Sequence, residues 1–101
     1  YRQFLKSNPW LPIYASFKAL EEEFPNTPIF AWPKRYGDPI NDQTLFNFHC
    51  FLQYLCFSQM QAVKKEASHL SLFLKGDMPI LVSPHSADVW AYPHLFQLDL
   101  E

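Results

Sequence analysis

Asp77 is the residue in this sequence best placed to do chemistry. It follows Leu72-Phe73-Leu74-Lys75-Gly76 and precedes Met78-Pro79-Ile80-Leu81-Val82, so a short apolar run delivers one carboxylate. If that run is a buried strand, the acid stands at its C-terminal end, where barrel enzymes gather their working groups. Gly76 lets neighbouring backbone come close, and Pro79 stiffens the chain beyond it. The competing reading is a turn aspartate bonding its own backbone. Cleavage or transfer at a glycosidic bond needs two carboxyls astride it, about 5–5.5 Å apart when configuration is retained. No second acid pairs convincingly with Asp77. Glu21, Glu22 and Glu23 form a charge run at a helix end and read as a solvated face, while Asp38 and Asp42 belong to a turn and a cap. Asp88 could reach Asp77, but it lies on a separate short helix and reads equally well as a structural hydrogen-bond acceptor.

The histidines and cysteines narrow the chemistry further. His85 lies beside the Asp77 segment and could donate to a sugar hydroxyl or to a carboxylate. His49 and His69 share one long helix but stand too far apart to meet, and His94 reads as a surface residue. Cys50 and Cys56 are six positions apart, about 240° around a helix. With His49 they make no metal ligand set, and both read as buried free thiols. Ser83 and Ser86 neighbour His85 but lack the glycines of a nucleophile elbow. Only two Gly occur, which excludes Gly-rich phosphate loops. Eight Lys plus Arg against ten Asp plus Glu give a net charge of −2. Without a basic patch, a nucleic-acid partner is not expected. Neither a metal nor a cofactor is expected.

The elements that must position these side chains are legible from periodicity. Asn8 and Pro9 suit the start of a helix, and Trp10, Ile13, Tyr14, Phe17, Leu20 and Phe24 recur at helical spacing. Pro12 is early enough to be tolerated, and Pro25 stops the run. Residues 25–39 are rich in Pro and aromatics and read as an irregular loop pinned to a core by Ile29, Phe30 and Trp32. A long helix over 41–70, capped by Asn41 or Asp42, carries Leu45, Phe48, Leu52, Leu55, Val63, Ala67 and Leu70 on one face. Phe46, Cys50, Phe57 and Met60 widen that face. A helix this apolar is normally buried among several neighbours, and the rest of the chain is too small to cover it. The period then changes, and 72–82 reads as a strand. A short helix over 86–90 follows, and 85–101 forms that helix and an exit segment.

With 49% hydrophobic and 18% aromatic residues, disorder is excluded. A length of 101 residues suits one domain or a piece of a larger one. The window 45–57 is too short and too polar to span a bilayer. The chain begins at Tyr1 without a signal-like stretch and stops at Glu101, so an excised segment is expected. A long helix feeding a strand that ends on a carboxylate is the grammar of a (β/α) barrel. The expected class is therefore α/β, with this piece mainly helical and holding one or two short strands.

The motifs themselves resemble a family. Leu74-Lys75-Gly76-Asp77-Met78-Pro79-Ile80, then Ser86-Ala87-Asp88-Val89-Trp90-Ala91 and Leu95-Phe96-Gln97-Leu98-Asp99, are similar to the 4-α-glucanotransferases, also called amylomaltases or disproportionating enzymes. Trp10-Leu11, Tyr14-Ala15 and Phe17-Lys18-Ala19-Leu20 match the family's first helix. Trp32-Pro33 matches its loop, and Phe51-Leu52-Gln53-Tyr54 leading to Gln59 matches the long helix. Met60 stands where the family usually has Trp, and His69-Leu70-Ser71 replaces a common Gly-Ile approach. His85 stands where Asp is frequent.

The resemblance implies a (β/α)8 barrel with inserted helical subdomains that moves α-1,4-glucan segments between glucans by a retaining double displacement. It implies that nucleophile, acid/base and stabilising Asp lie downstream, so this chain holds no catalytic residue and is inactive alone. Asp77, His85 and Asp88 become active-site support, with Asp77 orienting neighbours. The implied partners are α-1,4-glucans and maltooligosaccharides, with no cofactor, nucleic acid or membrane. Two unpaired Cys and no export signal suit a reducing cytoplasm. Two alternatives stay open: a small helical module that binds a partner through its aromatic face, and a piece of a related glucan hydrolase. In either case the isolated chain is expected to self-associate through the long helix.

Overall fold

The computed structural model describes residues 1–97; Leu98 and Asp99 of the expected exit segment lie outside them. Among the described residues four α-helices are formed: α1 (Arg2–Ser7), α2 (Leu11–Glu23), α3 (Gln43–His69) and α4 (Ala87–Ala91). Short 3-10 turns cover Ile29–Ala31 and Pro93–Leu95.

Helix α1 is an element that periodicity does not announce. Six residues cannot hold a helix in water unaided, and α1 is held by aromatic edges against α3. The Phe4 ring centroid is 5.7 Å from that of Tyr54 and 5.3 Å from that of Phe57, and Tyr1 is 5.7 Å from Phe51. Asn8, expected to cap the start of α2, instead closes α1. Its Nδ2 donates to the Phe4 carbonyl at 2.8 Å, and its Oδ1 accepts from Trp10 Nε1 at 3.1 Å. Helix α2 therefore starts without a side-chain cap. Pro12 falls in its first turn, where no N–H is needed.

Helix α2 is the centre of the molecule, because it is apolar on two sides. Leu11 and Ala15 pack with Cys50 of α3, flanked by Phe4 and Phe46. Phe17 and Leu20 pack with Ile29, Trp32, Val89 and Trp90. The expected stripe is half right: Ile13, Phe17 and Leu20 are buried, whereas Trp10 is exposed. The loop 25–39 is pinned by two of its three expected residues, with Ile29 and Trp32 inside and Trp32 Nε1 donating to the Thr27 carbonyl at 3.0 Å, while Phe30 is exposed. Its tight turn needs Gly37, whose φ is +102°. There Asp38 takes its expected turn role, accepting from the Arg35 N–H at 2.8 Å.

Helix α3 is 27 residues long and is capped by Asp42, which accepts from the Leu45 N–H at 3.0 Å. Its end is a Schellman motif. The Leu72 N–H donates to the Ala67 carbonyl at 2.8 Å and the Ser71 N–H to that of Ser68 at 3.2 Å, with Ser71 at φ +58°. Only His49, Cys50 and Ala67 are buried on this helix. Phe48, Phe51, Phe57, Met60 and Val63 stay exposed. None of the helices is long and apolar enough to cross a membrane among the described residues.

The strand expected over 72–82 does not form. The segment carries no strand among the described residues, and Phe73 and Ile80 are 98% and 96% exposed. A strand exists only by pairing with another, and residues 1–97 supply no second strand to pair with. The helical character of the α/β expectation therefore stands, and its β part is absent from this stretch. Ser86 then caps α4, accepting from the Val89 N–H at 3.3 Å, and Val89 and Trp90 anchor that helix in the core.

Candidate functional site

Asp77 is exposed on the unpaired 72–82 segment and makes no hydrogen bond or ion pair among the described residues. Asp88 is also exposed, in the first turn of α4, where the helix dipole favours an acid. It borders a groove of about 420 Å³ lined by Trp10, Ile13, Tyr14, Ala87 and Tyr92. Aromatic planes beside a carboxylate provide a stacking surface and a hydrogen-bond acceptor. His85 is the one expected site residue that the fold engages in a polar side-chain contact outside its own stretch of chain. Its Nε2 lies 2.8 Å from Glu21 Oε2 on the last turn of α2, across 64 positions of chain. Glu21, Phe24, Asn26, Thr27, Pro28 and His85 line a cleft of about 370 Å³.

The glutamate run on α2 is exposed at Glu22 and Glu23, as expected, but Glu21 is partly buried, and Glu21 and Glu22 each meet a histidine. Glu21 Oε1 accepts from Lys18 Nζ at 3.0 Å while Oε2 faces His85. Partial burial pushes the Glu21 carboxyl upward, but hydrogen bonds from Lys18 and His85 outweigh it and hold it below the ordinary value. The same contact, against a smaller opposing effect of burial, raises the Lys18 ammonium. Next door, Glu22 Oε1 lies 3.2 Å from His49 Nε2. His49 is only 6% exposed, and this contact is what satisfies its ring on the buried face of α3. An ionised carboxylate only accepts, so in both pairs Nε2 carries the hydrogen. Lys18 and Glu21 stand three positions apart, the spacing of a local helical pair; His85 was expected to donate to a carboxylate, but nothing in the sequence placed it or His49 against these glutamates.

The remaining groups sort simply. Cys50 is buried, and burial raises its thiol pKa. Cys56 is exposed, contrary to expectation, because a residue six positions on faces away from α2. His94 is exposed as expected. No group of three His, Cys, Asp or Glu side chains is placed to hold a metal among the described residues.

Comparison with known proteins supplies the context for these residues. A family model described as 4-alpha-glucanotransferase matches residues 1–101. A 4-alpha-glucanotransferase of Chlamydia trachomatis is 44% identical over 94 residues, covering 86% of this chain and 18% of that protein. One from Thermus thermophilus is 40% identical over 101 residues, covering 91% and 20%. One from Streptococcus pneumoniae is 31% identical over 113 aligned residues, covering 99% and 22%. The chain spans about a fifth of the length of the curated relatives it matches. No solved structure matches it.

Proposed function

The chain belongs to the 4-alpha-glucanotransferase family, and from that premise we propose that it is a segment of a longer enzyme transferring α-1,4-glucan segments between glucans. The observation that carries this reading is the family match over every residue of the chain, joined to relatives up to 44% identical that bear that name. The reaction is a retaining double displacement whose nucleophile and acid/base belong to other parts of the enzyme. The chain alone is inactive: Glu21 and Glu22 are committed to histidines, and Asp77 and Asp88 stand without polar partners among the described residues.

Within the whole enzyme, 72–82 is a strand of a (β/α)8 barrel and the helices belong to a subdomain inserted beside it. Two features support this. The segment is strongly apolar yet exposed and unpaired among the described residues, and α3 holds a row of large apolar side chains in water. Both are conditions that further chain would relieve, at roughly 1.5–3 kcal/mol for each large side chain covered. Asp77, His85 and Asp88 support the active site. Asp77, directly after the first run of that strand (72–76), orients neighbouring groups; His85 and Asp88 follow on the connection that returns to the core. The substrates are α-1,4-glucans and maltooligosaccharides. Two unpaired thiols suit a reducing compartment, and we place the enzyme in the cytoplasm.

Incubating the full-length protein with maltotriose tests the reading. Glucose and longer maltooligosaccharides are expected together, whereas shortening without lengthening identifies a hydrolase and no change overturns the assignment. In the same assay Asp77→Asn is expected to lose most of its turnover with little change in melting temperature. Turnover at the wild-type rate would make Asp77 a turn residue only.

A further inference from the structure

The last turn of α2 presents two neighbouring carboxylates, and each is taken by a histidine from a different part of the chain: Glu22 by His49 of α3, and Glu21 by His85 just ahead of α4. We propose that Glu21 is a positioning residue: by accepting the Nε2–H of His85, it latches the stretch that carries Asp77 to α2. The role of that stretch in catalysis rests on the function proposed above; the latch itself does not.

Four observations carry the proposal. The Glu21–His85 contact, at 2.8 Å, is the shortest of the acid–histidine contacts among the described residues. Both oxygens of Glu21 are engaged, Oε1 by Lys18 and Oε2 by His85, so the carboxylate is held from both sides. The imidazole is braced by two rings of the core: its centroid lies 5.4 Å from Phe17 and 5.8 Å from Trp32, both edge-on. Finally, 73–82 makes no hydrogen bond to the rest of the molecule among the described residues. Its upstream end is held by the Schellman closure at Leu72. Its downstream end is held where His85 meets Glu21 and Ser86 caps α4. Fixing His85 therefore fixes both the return of the Asp77 segment and the first turn that carries Asp88.

The test is charge exchange in the full-length protein, read by hydrogen–deuterium exchange over 86–92, where the Val89, Trp90 and Tyr92 N–H groups are hydrogen-bonded, and by kcat and KM on maltotriose. Glu21→Gln and Glu21→Lys are each expected to speed exchange over 86–92 by about fivefold, the scale of one well-placed ion pair, and to lower kcat with KM unchanged. Combining Glu21→Lys with His85→Asp restores an opposed pair in the reverse sense and is expected to return both readouts to near wild type. Glu22→Gln, which frees His49 on α3, is expected to leave exchange over 86–92 unchanged. Wild-type exchange in Glu21→Gln, or a double variant no better than its singles, would overturn the latch. If the wild-type protein transfers no glucan, the functional reading fails and the exchange data alone still decide the latch.

Discussion

Glu21 and Glu22 differ from the other acids of this chain in the partners they meet. Both sit at the C-terminal end of a helix, where the dipole disfavours anions, and both are stabilised by histidines brought in from elsewhere. For Glu21 the consequence is a pH dependence of definite sign. Partial burial raises its carboxyl pKa, the Lys18 and His85 contacts together lower it by more, and the net result lies below the ordinary 4.5. A carboxyl that is harder to protonate when folded contributes stability above its unfolded pKa and loses it as pH falls through the folded one. The melting temperature is therefore expected to drop on acidification below pH 4.5, and to drop less in Glu21→Gln. Parallel acid titrations of the two proteins by near-ultraviolet circular dichroism measure the difference. Nothing in the order of residues announced this pairing. A glutamate triplet on a helix end looks the same whether its neighbours are water or imidazole, and His85 is 64 positions away.

At the scale of elements, the local grammar was mostly readable. Pro25 ends α2, Asp42 starts α3 and Ser86 starts α4, each by a mechanism confined to a few neighbouring residues. Misreadings arose where one residue can serve two elements. Asn8 is a good N-cap in isolation, yet its amide closes α1, a helix that exists only because Tyr1 and Phe4 rest on the aromatics of α3. The end of α3 shows a local cost. Ser71 occupies the left-handed position of the Schellman motif, where glycine is the usual residue. Relieving its Cβ is worth roughly 1–2 kcal/mol, against about 0.5–1 kcal/mol of extra chain entropy that glycine loses on folding. Ser71→Gly is thus expected to stabilise the fold by up to about 1 kcal/mol. Urea denaturation with an unchanged m-value would report it, and a destabilised variant would count against this account of the helix end.

At the scale of the whole molecule, the balance of covered and uncovered surface dominates. Helix α2 and its two cores form a small packed body, but most of α3 and nearly all of 72–82 face water. Exposed apolar surface of this kind drives association. The isolated chain is expected to gain mass with concentration in sedimentation equilibrium, and Phe48→Glu with Leu55→Glu to shift it back toward monomer. A wild-type chain that stays monomeric throughout would show that the face is tolerated in water.

By itself the sequence determined where α2 stops, where α3 and α4 start, that Phe17 and Trp32 enter a core and to which family the chain belongs, because each is written in residues close together or in motifs read whole. The tertiary structure decided which glutamates meet histidines, that α2 rather than the longer α3 is the centre, and that 72–82 stays unpaired. Those outcomes depend on partners distant in the chain or outside it. A strand needs another strand to bond, and a carboxylate takes its character from whichever donor the fold brings within about 3 Å.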